Sequence, residues 1–201
     1  MLSTEERKSI IALIHSQVLP AIGCTEPIAV ALCVAKAREL LGTLPESIDI
    51  ELSANILKNA MGVGIPGTGM IGLPIAVALG AIVGRPELEL EVLQDSNKEA
   101  VERGKAYIAE DRIHISLKED APDKLYIAVK CSAGGHEAEA RIMHMHTNFV
   151  YLRKDADVML DNMAPREEEA KQVEVELTLR KVYEFATELV VLFLDVKQHK
   201  A

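Results

Sequence analysis

The 201-residue sequence contains no tryptophan, and aromatic residues make up only 3% of it. Its core must therefore be filled by aliphatic side chains and alanine, which favours helix-rich packing. Basic residues are outnumbered, 22 Lys and Arg against 31 Asp and Glu, for a formal net charge of -9. Without a basic stripe, a nucleic-acid partner is not expected. Long hydrophobic runs are missing too. The longest apolar stretch, around 70–83, is broken by glycine and shorter than a membrane span requires. The N-terminal MLSTEERKS is polar and lacks the apolar segment of a secretory signal. The three cysteines, Cys24, Cys33 and Cys131, are an odd number at wide spacings. That argues against a disulfide framework and for a reducing compartment. A cytoplasmic protein that meets neither membrane nor nucleic acid is predicted.

Hydrophobic residues make up 49% of the chain, enough for a real core in one large domain or two small ones. Segment 4–19 places Ile10, Ile11, Ile14 and Val18 at helical spacing, opened by Ser3 or Thr4 and ended by Pro20. Segment 27–41 starts with proline after the cap candidate Thr25 and stops at Gly42. Its first half is apolar on every side and should be buried. IDIELS (48–53) alternates like a strand, NILKNAM (55–61) reads as a short helix, and MIGLPIAVALGAIVG (70–84) as a buried helix. An amphipathic helix is expected over 97–109. From about 111, RIHISLKE, KLYIAVKC, HEAEARIMHMH and FVYLRK alternate between turn residues, the pattern of an antiparallel meander with one face on the core. Beyond 165 the sequence reads as one or two helices, with apolar positions 173, 177, 182, 185, 189 and 193 in a stripe. The expected fold is α+β, with helices on one face of a mainly antiparallel sheet and a helical C-terminal segment. Residues 1–110 form its helical part, 111–160 the meander in the same domain, and 161–201 the C-terminal helices.

GVGIPG at 62–67 matches the dinucleotide fingerprint G-x-G-x-x-G literally. That fingerprint needs a strand leading into it and a helix leaving it. Here NILKNAM precedes it and Pro66 sits where the helix should begin, so the sequence argues against a Rossmann site. Four glycines with Pro66 and Thr68 inside 62–69 suit either a plain turn or a backbone cradle for a carboxylate or phosphate. Asn55, Lys58 and Asn59 share a helical face just before that loop. Lys58 fits three readings: a solvated surface lysine, a cation for a substrate carboxylate, or a pyridoxal-phosphate Schiff-base lysine. His136, His144 and His146 suggest a metal, yet no third ligand follows at zinc-site spacing. His146, Thr147 and Asn148 read instead as a polar turn, either purely structural or able to reach one ligand. Cys33 and Cys131 fall at core positions. Cys24 precedes a helix N-terminus, whose partial positive charge is expected to lower a thiol pKa; the alternative is a buried turn thiol.

In order along the chain, GCTEP (23–27), NILKNAMGVGIPGTGMIGLPIAVALGAIVG (55–84) and AGGHEAEARI running into HTN (133–148) resemble the L-cysteine desulfidase family, also called serine dehydratase alpha-chain-like or UPF0597 proteins. The resemblance covers about residues 5 to 155. It implies a lyase that eliminates sulfide from L-cysteine, or water from L-serine, to give pyruvate and ammonia through an aminoacrylate. It also implies a [4Fe-4S] cluster rather than pyridoxal phosphate. Cys24 would then be a cluster ligand or the base, with Glu26 and His146 completing the candidate catalytic set. Lys58, Asn59, Gly64, Gly67, Thr68 and Gly69 are candidates for the substrate carboxylate, and Thr147 and Asn148 for substrate orientation. Family members are longer, with further cluster cysteines in a C-terminal half. This sequence therefore reads as an N-terminal portion, a truncation or half of a split enzyme. On its own it is expected to bind no cluster and to be inactive, and to need the missing half or a partner subunit. The apolar 189–196 stretch adds an expectation of homo-oligomerisation. Two rivals stand beside this reading: a pyridoxal-phosphate lyase using Lys58, and an amino-acid-binding or assembly module without its own activity.

Overall fold

The computed structural model describes residues 2–18, 20–163 and 176–187. The chain divides into two compact units, Met1–Leu19 with Arg166–Ala201, and Pro20–Pro165. In the first, α1 (Thr4–Gln17) opens with a capping box: the Ser3 hydroxyl accepts the Glu6 N–H, and the Glu6 carboxylate accepts the Ser3 N–H. A helix over 179–187 brings Lys181 to within 3.1 Å of the same carboxylate. The apolar 189–196 stretch lies outside the described residues.

The second unit is built around α2 (Thr25–Leu41). Its residues from Pro27 to Ala35 are all buried, as a helix with apolar side chains on every face requires. Gly42, at φ 86°, ends it in a left-handed turn that donates to the Arg38 carbonyl. β1 (Ser47–Leu52) follows, then α3 (Ala54–Ala60) and a small hairpin of β2 (Gly64–Ile65) and β3 (Met70–Ile71). The hairpin brackets the glycine loop, which the sequence reads as a plain turn or a backbone cradle, and takes up the first two residues of the helix expected over 70–84. It exists because positive φ at Gly67 and Gly69 lets the chain reverse between two paired residues on each side. It also delays the next helix, so α4 spans only Leu73–Ile82. A 3-10 segment (Pro86–Glu91) and α5 (Lys98–Ala109) complete the helical part.

β4 (Ile113–Leu117), β5 (Tyr126–Ala133), β6 (His136–Met143), β7 (Phe149–Lys154) and β8 (Asp157–Asp161) join β1 in a six-stranded sheet ordered β4-β1-β5-β6-β7-β8. Every pairing is antiparallel except β1 with β4. The fold is α+β, as the alternation of 48–53 and 111–160 implied. On one face Ile48, Ile50, Leu52, Ile127, Val129, Cys131, Ala138, Ala140 and Ile142 merge with α2 and α4 into one aliphatic core. On the opposite face Arg153 and Arg141 converge on Glu139, and a small cluster forms from Tyr126, Ala128, Met143 and Val150. Alternation along the strands thus separates apolar from charged surface. Gly80 lets α4 approach α2 closely: a Cβ there would stand 2.6 Å from the Ala31 carbonyl oxygen. Among the described residues, no helix is long and apolar enough to cross a membrane.

Candidate functional site

Cys24 caps α2 from an extended conformation, and Glu26 occupies the first helical turn, where a carboxylate is favoured by the unpaired N–H groups. The Glu26 side chain is the meeting point of the site. One carboxylate oxygen accepts the Cys24 thiol at 3.0 Å and the Thr25 hydroxyl at 3.2 Å. The other accepts the Asn59 amide at 3.3 Å, across 33 residues of sequence. Asn59 arrives because α3 follows directly on β1 and is anchored at its start. There the Ser53 hydroxyl donates to the Lys124 carbonyl and the Ser53 N–H to that of Tyr126. His146, in the turn between β6 and β7, shares the electrostatic field of Glu26. The glycine loop is adjacent as well: a Cβ on Gly23 would meet the Pro66 ring at 3.0 Å. Three separate stretches, 23–26, 59–66 and 146, therefore share one region.

The hydrogen bond from Cys24, then those from its own backbone N–H and Thr25, hold Glu26 below the ordinary carboxylate range against the effect of burial. The same bond pushes the Cys24 thiol above its ordinary value, with burial acting in the same direction. This overturns the expectation of a thiol acidified by a helix N-terminus. The backbone N–H groups of Thr25 and Glu26 do favour the thiolate, but a carboxylate two residues away outweighs them. Burial lowers His146, partly opposed by Glu26, which favours the neutral imidazole. At neutral pH the site holds a carboxylate, a thiol and a neutral ring.

The other candidates are placed less directly. Asn59 serves Glu26, a role its sequence position did not suggest. Lys58 is exposed and forms no ion pair among the described residues. The Thr68 hydroxyl is committed to the hairpin, donating to the Ile65 carbonyl at 2.7 Å and accepting the Met70 N–H at 3.0 Å. Gly64 pairs with Ile71, while Gly67 and Gly69 supply the turn. Asn148 locks its own turn by donating to the Met143 carbonyl at 2.9 Å, leaving Thr147 half-buried beside it. His144 does not share a strand face with His146, because β6 ends at Met143 and His144 turns at φ 68° to face Asp123. His136 pairs with Asp155. Cys33 donates to the Ala140 carbonyl inside the core, and burial raises the Cys131 thiol to about 12. Among the described residues, no group of three or more His, Cys, Asp or Glu is arranged to hold a metal ion. Thr25 and Gly23 were missed as site residues. The signal available for both was their place in GCTEP.

No protein-family model and no solved structure matches the chain. Curated sequences do. A UPF0597 protein of Bacteroides fragilis is 64% identical over 185 residues, 92% of this chain and 43% of its own length. One of Bacteroides thetaiotaomicron is 64% identical over 181 residues, covering 90% and 42%. One of Porphyromonas gingivalis is 44% identical over 191 residues, covering 92% and 44%. The chain thus spans less than half the length of these relatives, and over nearly all of its own length it belongs to the UPF0597 family.

Proposed function

We propose that this chain is the N-terminal portion of a lyase that eliminates sulfide from L-cysteine, or water from L-serine, giving pyruvate and ammonia. The observation that carries the reading is the convergence of Cys24, Thr25 and Asn59 on the Glu26 carboxylate. An elimination of this kind needs a base for the α-proton and a fixed site for the substrate carboxylate. Ionised Glu26 accepts the α-proton, and the Cys24 thiol hydrogen-bonded to it donates a proton to the leaving group. As the Cα–H bond breaks, its electron pair forms the Cα–Cβ double bond, and the leaving group departs from Cβ with its own pair. The aminoacrylate then tautomerises and is hydrolysed to pyruvate and ammonia. The Gly67 and Gly69 N–H groups and the Lys58 ammonium supply donors for the carboxylate, the Thr68 N–H being committed to the Ile65 carbonyl. Neutral His146 supplies a hydrogen-bond partner for the substrate.

The resemblance also implies a [4Fe-4S] cluster, which is held by three or four thiolates. Cys24 is the one exposed cysteine, and Cys33 and Cys131 are locked in the core, so the described residues do not fit that group. Its remaining ligands, and activity itself, are assigned to the rest of the longer protein or to a partner subunit. The test uses a full-length relative, assayed anaerobically for sulfide and pyruvate from L-cysteine and L-serine. Cys24→Ser and Glu26→Gln are each expected to lower kcat by about 10²-fold or more, the scale of a lost acid–base group, with Lys58→Ala acting mainly on KM. Full activity in Cys24→Ser would overturn the proposal. Loss of a cofactor absorbance in Lys58→Ala would favour a pyridoxal-phosphate lyase, and thermal stabilisation by L-cysteine without turnover a binding module.

A further inference from the structure

The far end of α2 carries a second concavity. A groove of about 370 Å³ opens between the C-terminal ends of α2 and α4 and one face of α5, with Arg38, Thr43, Leu44, Ala81, Ile82 and Arg103 among its lining residues. A smaller hollow of about 200 Å³ shares Leu44, Ile82 and Arg103 with it and extends towards Arg112. At 1.5 Å per residue, the 17 residues of α2 put this groove about 25 Å from Cys24.

Its two arginines are not used up by carboxylates. Arg38 donates through one terminal nitrogen to the Gly84 carbonyl at 2.8 Å, while its Nε is buried with no hydrogen-bond partner. Arg103, on the exposed side of α5, has no ion pair among the described residues. The acids nearby are engaged elsewhere: Glu39 with Lys36, Glu87 with Arg85 and Glu110 with Arg112. That Nε is sealed from solvent and is not offered to the groove; the open donors are the other Arg38 terminal nitrogen and Arg103, and a guanidinium matches a planar carboxylate in geometry as well as charge. Leu44, Ala81 and Ile82 supply the apolar part of the lining, beside Glu39 and Thr43. Its volume lies at the lower end of small-ligand sites.

We propose that this groove binds a small carboxylic acid with a short apolar body, its carboxylate between Arg38 and Arg103 and its alkyl part on Leu44 and Ile82. Two features oppose an anion there, the α2 and α4 C-termini and the Glu39 carboxylate, so selectivity rests on the apolar contact as well as on charge.

The test is a methyl-NMR titration of the intact chain, following Leu44 and Ile82 at constant ionic strength. The probes are isobutyrate, acetate and inorganic phosphate; none is a substrate or product of the proposed lyase. Saturable shifts are expected with isobutyrate, at lower concentration than with acetate, and none with phosphate. Arg103→Ala, a surface change, should weaken isobutyrate binding by about tenfold, equivalent to about 1.4 kcal/mol, with Arg103→Lys intermediate. Cys24→Ser should leave the titration unchanged, which separates this site from the lyase reading. The proposal fails if isobutyrate gives no saturation up to about 10 mM, a very weak site. It also fails if phosphate saturates equally well, or if Arg103→Ala binds like the parent.

Discussion

At the scale of single residues, the chemistry of Cys24 is set by its neighbour two positions on. A thiol whose folded pKa is raised binds its proton more tightly in the native state. That contribution is present below the unfolded thiol value and is lost as pH rises through the folded one. Glu26 is the mirror case: its lowered pKa stabilises above the unfolded carboxylate value, and that is lost as pH falls through the folded one. Iodoacetamide should therefore label Cys24 slowly at pH 7, with the rate rising at a higher pH than for a free thiol. Glu26→Gln should shift that rise downward, and mass spectrometry of the labelled peptide distinguishes Cys24 from buried Cys33 and Cys131. An unchanged profile would remove Glu26 from control of the thiol. The importance of Cys24 was legible in GCTEP. Its protonation state was not, because the carboxylate is oriented by Asn59, which only the tertiary fold delivers.

At the scale of elements, α2 and α4 cross at close backbone approach. Gly80→Ala would push a methyl into the Ala31 backbone, which cannot yield as a flexible side chain would. A loss of about 1–3 kcal/mol in urea unfolding is expected, typical of overpacking. Leu79→Ala, one residue earlier and fully buried, should cost about 2–5 kcal/mol through the cavity it leaves. α5 and β5 were legible because each carries its own periodicity, and α2 because a proline start and Gly42 bound an unbroken apolar run. The β2–β3 hairpin was hidden, since two-residue strands have no period to detect. The insertion of β1 between β4 and β5 was hidden too, because register between distant strands is a property of their shared core face rather than of either strand.

At the scale of the whole molecule, the titrating groups bracket a stability plateau. Ser3 holds Glu6 down at about 2, and Glu26, Glu87 and Asp155 are lowered by their own hydrogen bonds. Their stabilisation, complete above about pH 4–5, should fade as pH drops below that. Burial raises Tyr107 and Cys131 to about 12, so the alkaline limb should begin above about pH 8.5, where an unfolded thiol ionises, and steepen towards 12. Thermal melts across that range test both limbs; a midpoint that rises on acidification from pH 5 would contradict the acid one.

The unusual position of β1 also has a consequence in time. Ile48 is flanked in the finished sheet by Ile113 on one side and Cys131 on the other, both made long after it during synthesis. Until β4 has been translated, a growing chain carries β1 with both hydrogen-bonding edges unpaired, and one edge stays open until β5 follows, so the sheet cannot close in order from the N-terminus. Pairings this distant in sequence predict slow folding for the size of the domain. The exposed edges of β1 are then the place where a nascent or refolding chain is most open to pairing with the wrong strand.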